Sequence, residues 1–518
     1  MTQLRKAKRP PDPSKKAPAL RAELAASEAF KKLGLPLSAL LLLAAGTVFA
    51  LYAHYLFDDY PPVWPDEALF ASPAIELLHH GKMGCPVLDV LPGIRERTYL
   101  YPPLYYLYLC PFFAILGPGL AAMRVSSLAA GGAVVLMLYL GGRRAGLARL
   151  WSLVPPSLLL LDRIFLRGSL IGRMDMLTVF LLLLTIWQWL DFPGSRAKSF
   201  LTGLFAGLAI LAHPLGCAAA AIVLLSECVH PHGPRLRHLP AICLGVFVMV
   251  LPWGIYILQD PGSFVTQFGA QILRKSGRVI LLKDRLLQSP LQYGADYAYV
   301  LVYWATGLAG LVTAAIRRRK AIVFVLAQAF IIALVIWSFE MWYVLYLAPL
   351  TALGTAELLS LRRRPMVLLL TAVVLAGCGW FVGKNLANLE KTRLGHTADY
   401  QAWCDRISGA LPRGSRVFLS SIPDPYLGLV RREDLAFREF APIGFPIEWA
   451  KYEQYIADCD YVVANGVWGM GDADFVAFME KRTVPQSVIA GPKGEYRVGI
   501  YRVKKGPVPG PPPSSRPR

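Results

Sequence analysis

Long apolar stretches recur along the first three quarters of the chain. Clear examples are 37–55, 176–190, 241–258 and 366–382. A helix needs about 20 predominantly apolar residues to cross the hydrocarbon core of a bilayer, and several of these stretches approach that length. No soluble fold needs so many of them. The sequence therefore predicts a polytopic α-helical membrane protein with about eleven transmembrane helices.

Composition agrees with this prediction. Of the 518 residues, 55% are hydrophobic and 17% are charged, whereas roughly a quarter of the residues in a soluble domain are charged. A net charge of +20 would suggest a nucleic-acid partner for a soluble protein. No basic surface with interleaved aromatic residues and no nucleic-acid-binding motif accompanies that charge. We therefore expect a lipid bilayer as the partner, and no nucleic acid.

Basic clusters between the apolar stretches indicate how the chain crosses the membrane, because Lys and Arg are enriched in cytoplasmic loops. They occur in the N-terminal tail and then at every second connection, namely in 143–149, 191–198, 230–238, 317–320 and 362–364. With a cytoplasmic N-terminus and an odd number of spans, the region after the last span lies outside the cytoplasm. We expect a multi-pass protein of the cell membrane, inner or plasma.

Two segments of the first outer loop need a separate interpretation. The apolar segment 101–116 is interpreted as re-entrant or interfacial, because a crossing there would place the basic clusters on the wrong side. Residues 65–80 predict a short amphipathic helix, with Leu69, Ile75, Leu77 and Leu78 available to a membrane face.

The composition changes near residue 391. Segments 416–420, 461–464 and 496–503 are typical of strands, and 399–411 and 472–481 of helices, which predicts a small α/β domain. The predicted divisions are a basic cytoplasmic tail (1–34), a membrane domain (35–385), a soluble extracytoplasmic α/β domain (386–506) and a disordered tail (507–518).

Two of the eight cysteines, Cys404 and Cys459, fall in the predicted soluble domain. A disulfide between them and two separate thiols both remain open, because the redox state of the compartment decides between them.

Charged residues gather at the outer ends of the apolar stretches. Asp66 and Glu67 fall in the first outer loop, and Asp175 lies where the second outer loop meets the fourth span. A carboxylate at mid-span costs roughly 2.5–3.5 kcal/mol, so we expect these acids at interfaces or in cavities. Arg173 and His213 lie on the same side. Together they predict one polar site, although a helix cap, an interfacial ion pair and a turn residue are the structural alternatives.

The fourth outer loop, 259–292, is basic on the side where positive charge is scarce in membrane proteins. Its cluster consists of Arg274, Lys275, Arg278, Lys283 and Arg285. Contact with anionic lipid headgroups is one interpretation. Binding of the phosphate of a lipid-linked substrate is the other, since Arg and Lys form charge-assisted hydrogen bonds with phosphate.

The order of the motifs resembles that of the GT-C glycosyltransferases. The motifs are Asp66-Glu67-Ala68 after the first span, Tyr101-Pro102-Pro103-Leu104-Tyr105-Tyr106, Gly172-Arg173-Met174-Asp175 at the start of a span, and His213-Pro214. The similarity is to the branch that contains the dolichyl-phosphate-mannose-protein mannosyltransferases, the aminoarabinose transferases and related bacterial family 39/83 enzymes. It covers 35–385, together with the number of spans and the outward soluble domain.

The resemblance implies inverting transfer of a sugar from a polyprenyl-phosphate donor to a hydroxyl of a lipid, glycan or protein on the extracytoplasmic face. Asp66 is implied as the general base, with Glu67 and Asp175 as further catalytic residues. Asp175 is implied to bind a divalent metal ion or to orient a cationic group, and no cofactor is certain.

The substrate-binding residues follow from the same resemblance. Those implied to bind the donor phosphate are Arg173, His213, Arg274, Lys275 and Arg278, and those implied to line the substrate pocket are Tyr101, Tyr105 and Tyr343.

Two positions depart from the family pattern. Tyr101 stands where many relatives have Lys before Pro-Pro, and Glu340 and Trp342 stand near a position that is usually basic. A secondary transporter or flippase of a lipid-linked saccharide is the alternative function, and a membrane scaffold is a further one. Transporters favour polar sites at the membrane midplane and internal repeats, whereas here the acids lie at outer span ends. The sugar, the acceptor and the oligomeric state stay open.

Overall fold

The structure is a computed structural model. It describes residues 42–51, 54, 62–144, 146–149, 151–190, 195–228, 236–276, 297–318, 345–360, 376–377, 379–380, 383–384, 386–387, 400–440, 448–465, 473–491 and 497–505. The predicted tails 1–34 and 507–518 lie outside these residues.

Helices form most of the described part of the predicted membrane domain. They are α1 (Leu42–Leu51), α2 (Pro65–His80), α3 (Leu104–Leu116), α4 (Leu120–Arg144), α5 (Val154–Leu161), α6 (Arg163–Leu170), α7 (Asp175–Leu190), α8 (Arg196–Ala212), α9 (Cys217–Cys228), α10 (Leu239–Leu258), α11 (Pro261–Ser276), α12 (Tyr297–Arg318) and α13 (Ala348–Leu359).

Two of the described helices are long and apolar enough to cross a membrane. They are α4 and the helix Leu236–Leu258, which contains α10. Helices α6 and α7 meet at 114° and make a third crossing if they form one broken span. The predicted span 366–382 lies mostly outside the described residues. The figure of eleven spans therefore stays a prediction.

The two segments of the first outer loop are both helical. Helix α3 has 13 residues, so it is about 20 Å long, which is less than the roughly 30 Å of a bilayer core. The helix predicted over 65–80 is confirmed as α2, which has Pro65 at its first position and ends at Gly81 in the left-handed region (φ 66°). The prediction that Leu69 faces the membrane was wrong, because 67–74 are buried against neighbouring helices.

Helices α12 and α13 cross at glycines. A Cβ atom on Gly310 would meet the backbone oxygen of Gly354, and one on Gly354 would meet that of Gly307. Small residues at a crossing let two helices approach until their backbones touch, which increases dispersion contact where lipid provides no hydrophobic driving force.

The C-terminal region forms a five-stranded mixed sheet in the order β2-β1-β3-β5-β4. Its elements are α14 (Tyr400–Ala410), β1 (Arg416–Ser420), α15 (Tyr426–Leu429), β2 (Ala436–Glu439), α16 (Trp449–Ala457), β3 (Tyr461–Ala464), α17 (Ala473–Arg482), β4 (Thr483–Ala490) and β5 (Arg497–Val503). Strand β1 is parallel to β2 and β3, and β5 is antiparallel to β3 and β4.

The predicted α/β domain is thus present, with strands near 416–420, 461–464 and 496–503 as expected. The sequence interpretation missed β2, β4, α15 and α16. The disulfide alternative is not what the structure shows. Cys404 donates to the carbonyl of Pro425 at 3.7 Å, and Cys459 donates to that of Tyr455 at 3.6 Å.

The C-terminal domain packs on the first outer loop. The backbone N–H of Asp424 donates to the carbonyl of Val63 at 2.8 Å. The Tyr455 hydroxyl donates to the carbonyl of Val87 at 2.9 Å. The domain therefore lies beside the start of α2, which carries Asp66.

Candidate active site

Arg173 lies between two carboxylates that come from different helices. Asp66 is in the first turn of α2, and Asp175 is the first residue of α7. Arg173 Nη1 donates to Asp66 Oδ2, and Arg173 Nε donates to Asp175 Oδ2 at 3.0 Å. Both carboxylates are at helix N-termini, where the helix dipole favours negative charge. The sharp bend between α6 and α7 places the guanidinium between them.

Tyr346 extends this chain of contacts. Its hydroxyl donates to Asp175 Oδ1 at 3.3 Å from the turn just before α13. The sequence prediction named Tyr343 in the same segment, and Tyr343 lies outside the described residues. The sequence has two tyrosines in this segment, Tyr343 and Tyr346, and no local pattern indicates which of them contacts Asp175.

Glu67 points into the protein and joins α2 to the bend before α7. Its Oε2 accepts the backbone N–H of Trp64 at 3.1 Å, and its Oε1 accepts that of Gly172 at 2.9 Å. Arg124 Nε lies 3.8 Å from Oε1, and both side chains are fully buried. Burial raises the pKa of Glu67 above its ordinary value, against the opposing effect of Arg124 and the two amides.

Exposure separates the three acids. The Asp66 side chain is 19% exposed, against 3% for Asp175 and 0% for Glu67. Asp66 is therefore the most exposed of the three carboxylates. The contacts of Glu67 are structural, so a catalytic role for it is indirect.

An aromatic group adjoins the Arg173 guanidinium. The ring of Phe70 lies 5.6 Å from Arg173 Cζ and packs edge-on against Tyr101 at 5.2 Å and Tyr105 at 5.9 Å. Tyr101 is stacked on His213, with the ring centroids 5.9 Å apart. The structure therefore connects Tyr101 and Tyr105 to the Arg173 guanidinium through the Phe70 ring, and connects His213 to this group through Tyr101.

The tautomer of His213 follows from its hydrogen bond. His213 Nδ1 accepts the backbone N–H of Leu215 at 3.0 Å in the short turn Pro214–Gly216. In the neutral ring, the proton is then assigned to Nε2.

Gln267 on α11 holds the outer loop in place and was missed by the sequence interpretation. Its Oε1 accepts the Tyr99 N–H at 2.7 Å. Its Nε2 donates to the carbonyls of Pro92 at 2.9 Å and Arg97 at 3.1 Å. Its partners lie about 170 residues away, so no local pattern in the sequence indicates its role.

The basic residues of the fourth outer loop are only partly described. Arg274 and Lys275 fall in the last turn of α11. Their side chains, and the whole of Arg278, lie outside the described residues. Their predicted role in phosphate binding stays a prediction.

The described residues do not fit a metal site. No group of three or more His, Cys, Asp or Glu side chains within them is arranged to hold an ion. Asp66 and Asp175 both bind the Arg173 guanidinium, so their charges are compensated by that cation. We derive no step through a metal ion at Asp175.

Comparison with known proteins tests the fold. No protein-family model matches the sequence, and no curated protein does. Solved structures do match: ArnT from Cupriavidus metallidurans bound to undecaprenyl phosphate superposes with a TM-score of 0.63 at 15% identity, over 92% of this chain and 99% of that one. The chain has the GT-C glycosyltransferase fold.

The GT-C fold is also found in two matching structures of the Archaeoglobus fulgidus oligosaccharyltransferase. The complex with zinc and sulfate gives a TM-score of 0.52 at 13% identity, over 90% of this chain and 74% of that one. The AglB complex with an inhibitory peptide and a dolichol-phosphate gives 0.50 at 12% identity, over 93% and 75%. The fold implied by the sequence motifs is confirmed.

Proposed function

We propose that this protein is an integral membrane glycosyltransferase that transfers a sugar from a polyprenyl-phosphate donor to a hydroxyl acceptor on the extracytoplasmic face. The observation that carries the proposal is the Asp66–Arg173–Asp175 chain of contacts within a GT-C fold. The matching ArnT structure holds undecaprenyl phosphate, and the AglB structure holds a dolichol-phosphate. A polyprenyl phosphate is the ligand class that the two neighbours share.

Asp66 is the proposed general base. The acceptor oxygen attacks the anomeric carbon, its proton passes to the Asp66 carboxylate, and the bond from that carbon to the phosphate oxygen breaks with its electron pair. Attack opposite the departing phosphate inverts the anomeric centre. Asp66 suits this role because it is the exposed member of the three acids.

Arg173 has a proposed second role besides binding phosphate. Its contact with Asp66 orients that carboxylate, and its contact with Asp175 fixes the guanidinium. Tyr346 holds Asp175 in turn. The departing phosphate gains negative charge and needs cationic or N–H partners. We assign that task to Arg173, His213 and the basic residues of the fourth outer loop.

Substitution of Asp66 by Asn tests the proposal. We expect Asp66→Asn to reach the membrane in normal amount and to lower transfer by roughly 10²–10⁴-fold, because the amide cannot accept the proton. The matched control is Asp89→Asn, an outer-loop aspartate that pairs with Arg95 on the surface. The assay is transfer of labelled sugar from a polyprenyl-phosphate donor to envelope acceptors, which are identified by mass spectrometry.

Two outcomes would contradict the proposal. Full transfer by Asp66→Asn would remove the assigned base. Movement of an unaltered lipid-linked sugar across the membrane, with no product on any acceptor, would favour the transporter alternative.

A further inference from the structure

A cleft lies between the C-terminal domain and the first outer loop, beside α2. Its volume is about 490 Å³, which is within the roughly 300–1,000 Å³ of sites that bind small molecules. One wall consists of Ser72 and Glu76 of α2 and of outer-loop residues between Pro86 and Arg95. The other wall consists of the first residue of β1, the first residue of α15 and residues between 430 and 438. The cleft is therefore a separate feature from the Asp66–Arg173–Asp175 chain of contacts.

The floor and the rim of the cleft differ in polarity. Tyr426 and Leu435 are buried in its floor. Arg95, Arg416 and Glu433 are exposed at its rim. A molecule in the cleft can therefore combine apolar contact with hydrogen bonds to charged groups, as small-molecule sites commonly do.

Charges of both signs line the cleft. Four are the arginines Arg95, Arg416, Arg432 and Arg438, and three are the acids Glu76, Asp89 and Glu433. An anion would meet the carboxylates and a cation would meet the guanidinium groups, so the lining favours neither kind of ion. A hydroxyl group both donates and accepts, whereas guanidinium only donates and carboxylate only accepts. A molecule with many hydroxyl groups therefore suits both kinds of side chain.

Two of these charged side chains have no partner in the protein. Arg432 binds both oxygens of Asp434, at 2.6 and 2.7 Å, and Arg438 donates to a backbone carbonyl of α16. Within the described part of the chain, the side chains of Arg416 and Glu433 have no ion-pair partner. The cleft thus presents one donor group and one acceptor group to a ligand.

The edge of the sheet disfavours an extended peptide as that ligand. Strand β2 is an edge strand of four residues, and a peptide can add to such an edge as a further strand. The turn Pro86–Leu88 packs against β2, and the Tyr455 hydroxyl holds the Val87 carbonyl at 2.9 Å. The outer loop therefore covers part of the edge and leaves only a short length of it for strand pairing.

We propose that this cleft binds the saccharide chain of a neutral glycan, and that Arg416 and Glu433 form hydrogen bonds with its hydroxyl groups. The identification of this glycan as the acceptor rests on the proposed function, whereas its binding in the cleft does not.

The position of the cleft along α2 indicates which part of an acceptor it holds. Ser72 and Glu76 follow Asp66 on the same helix and lie about 9 and 15 Å further along its axis. A sugar in the cleft is too far from Asp66 to lose a proton to it. The acceptor is therefore an oligosaccharide, of which one end reacts while another part occupies the cleft. Binding of a part that does not react lowers KM without changing kcat.

The experiment is a titration of the full-length protein with neutral tetrasaccharides of glucose, galactose, mannose or N-acetylglucosamine. Binding is followed by saturation-transfer NMR in a detergent without a sugar headgroup, and we expect at least one tetrasaccharide to bind saturably. Ala436→Trp fills the cleft from an exposed position of β2, so we expect it to abolish binding. Arg416→Ala removes hydrogen bonds from a charged donor, so we expect binding about tenfold weaker.

Each variant has a matched control. Val488→Trp places the same side chain on β4, at the opposite edge of the sheet, where Val488 is 70% exposed. Arg413→Ala removes an exposed arginine from the segment before β1. Neither residue lines the cleft, so we expect both controls to bind like the wild type.

Three results would overturn the proposal. The first is that none of the tetrasaccharides binds the wild type. The second is that Ala436→Trp binds them as well as the wild type does. The third is that uncharged tetrapeptides bind in the cleft and the tetrasaccharides do not.

Transfer kinetics test the link to the reaction. With an oligosaccharide acceptor, we expect Ala436→Trp to raise the KM for the acceptor about tenfold or more and to leave kcat and the KM for the donor unchanged. Tetrasaccharide binding by a protein without transferase activity would support the cleft and refute the proposed function. Sugar transfer by a protein whose cleft binds no tetrasaccharide would refute the role of the cleft alone.

Discussion

The buried pair of Glu67 and Arg124 provides the largest stability effect that we predict. Substitution of Glu67 by Ala removes the acceptor of two backbone N–H groups and a carboxylate 3.8 Å from a buried guanidinium. Each buried N–H without a partner costs about 1–3 kcal/mol. Loss of one member of a buried ion pair costs about 3–5 kcal/mol. Because these costs overlap, we expect about 3–5 kcal/mol in total.

Thermal unfolding in detergent micelles, followed by tryptophan fluorescence, measures this effect. One kcal/mol shifts Tm by roughly 2–4 °C for a cooperative unit of 150–250 residues, so we expect Glu67→Ala to unfold about 6–20 °C below the wild type. Glu76→Ala is the matched control on the same helix. Its acid is partly exposed and pairs with His80 one turn away, so we expect a change of less than about 0.5 kcal/mol.

A double-mutant cycle separates the ion pair from the capping contacts. If the charges of Glu67 and Arg124 interact, then Glu67→Ala combined with Arg124→Leu will be less destabilised than the sum of the two single variants, by about 0.5–3 kcal/mol. Additivity would assign the whole effect to the lost acceptor. If the Tm of Glu67→Ala lies within about 1 °C of the wild type, the conclusion that Glu67 links α2 to the bend before α7 is refuted.

Three further predictions concern the elements around the site. Tyr346→Phe loses one hydrogen bond to a carboxylate, worth about 1.5 kcal/mol, so we expect Tm to fall by about 3–6 °C and kcat/KM to fall about tenfold. Gln267→Ala frees the loop 92–99 from α11, and we expect tryptic cleavage in that loop to be about tenfold faster, with an unchanged rate contradicting the role of this glutamine. Gly354→Leu forces α12 and α13 apart, and we expect it to lower the free energy of unfolding by about 1–3 kcal/mol. Gly254→Leu is the control that we expect to be tolerated, because a Cβ atom added at Gly254 meets nothing within 4 Å.

Charge placement made the core of the site predictable from the sequence. Asp66, Arg173 and Asp175 each adjoin an apolar stretch, and the cost of charge in a bilayer restricts such residues to span ends or cavities. Residues that share one membrane side have a limited area in which to meet. The sequence could therefore place the three together, although it could not show that Arg173 lies between the acids.

The residues that were missed act through contacts at long range. Tyr346 reaches Asp175 across 171 residues, and Gln267 reaches the first outer loop across about 170. Asp424 and Glu439 look like ordinary polar residues of a small α/β domain until the fold buries both of them. Neither hydrophobic periodicity nor secondary-structure propensity can reveal a contact of that kind, because both describe short windows of the sequence.

The C-terminal domain shows the same limit of prediction from local sequence. Strand β1 was predictable because its interior residues Val417–Leu419 are apolar and buried on both faces. Strand β2 lies at the sheet edge with the sequence Ala-Phe-Arg-Glu, and only its last residue is buried. A short edge strand carries little hydrophobic pattern, so its pairing with β1 supplies information that the sequence alone lacks.

The separation of Asp66 and Arg173 along the chain also determines when their contact can form during translation. Asp66 and Arg173 are 107 residues apart, which is about 5–20 s of translation at 5–20 residues per second. The contact from Tyr455 to Val87 spans 368 residues and must wait about 20–70 s. During the first interval the nascent chain carries the Asp66 acid before its guanidinium has been made. A chain that stops before α7 cannot assemble the site, and one that stops before the sheet cannot fix the start of α2.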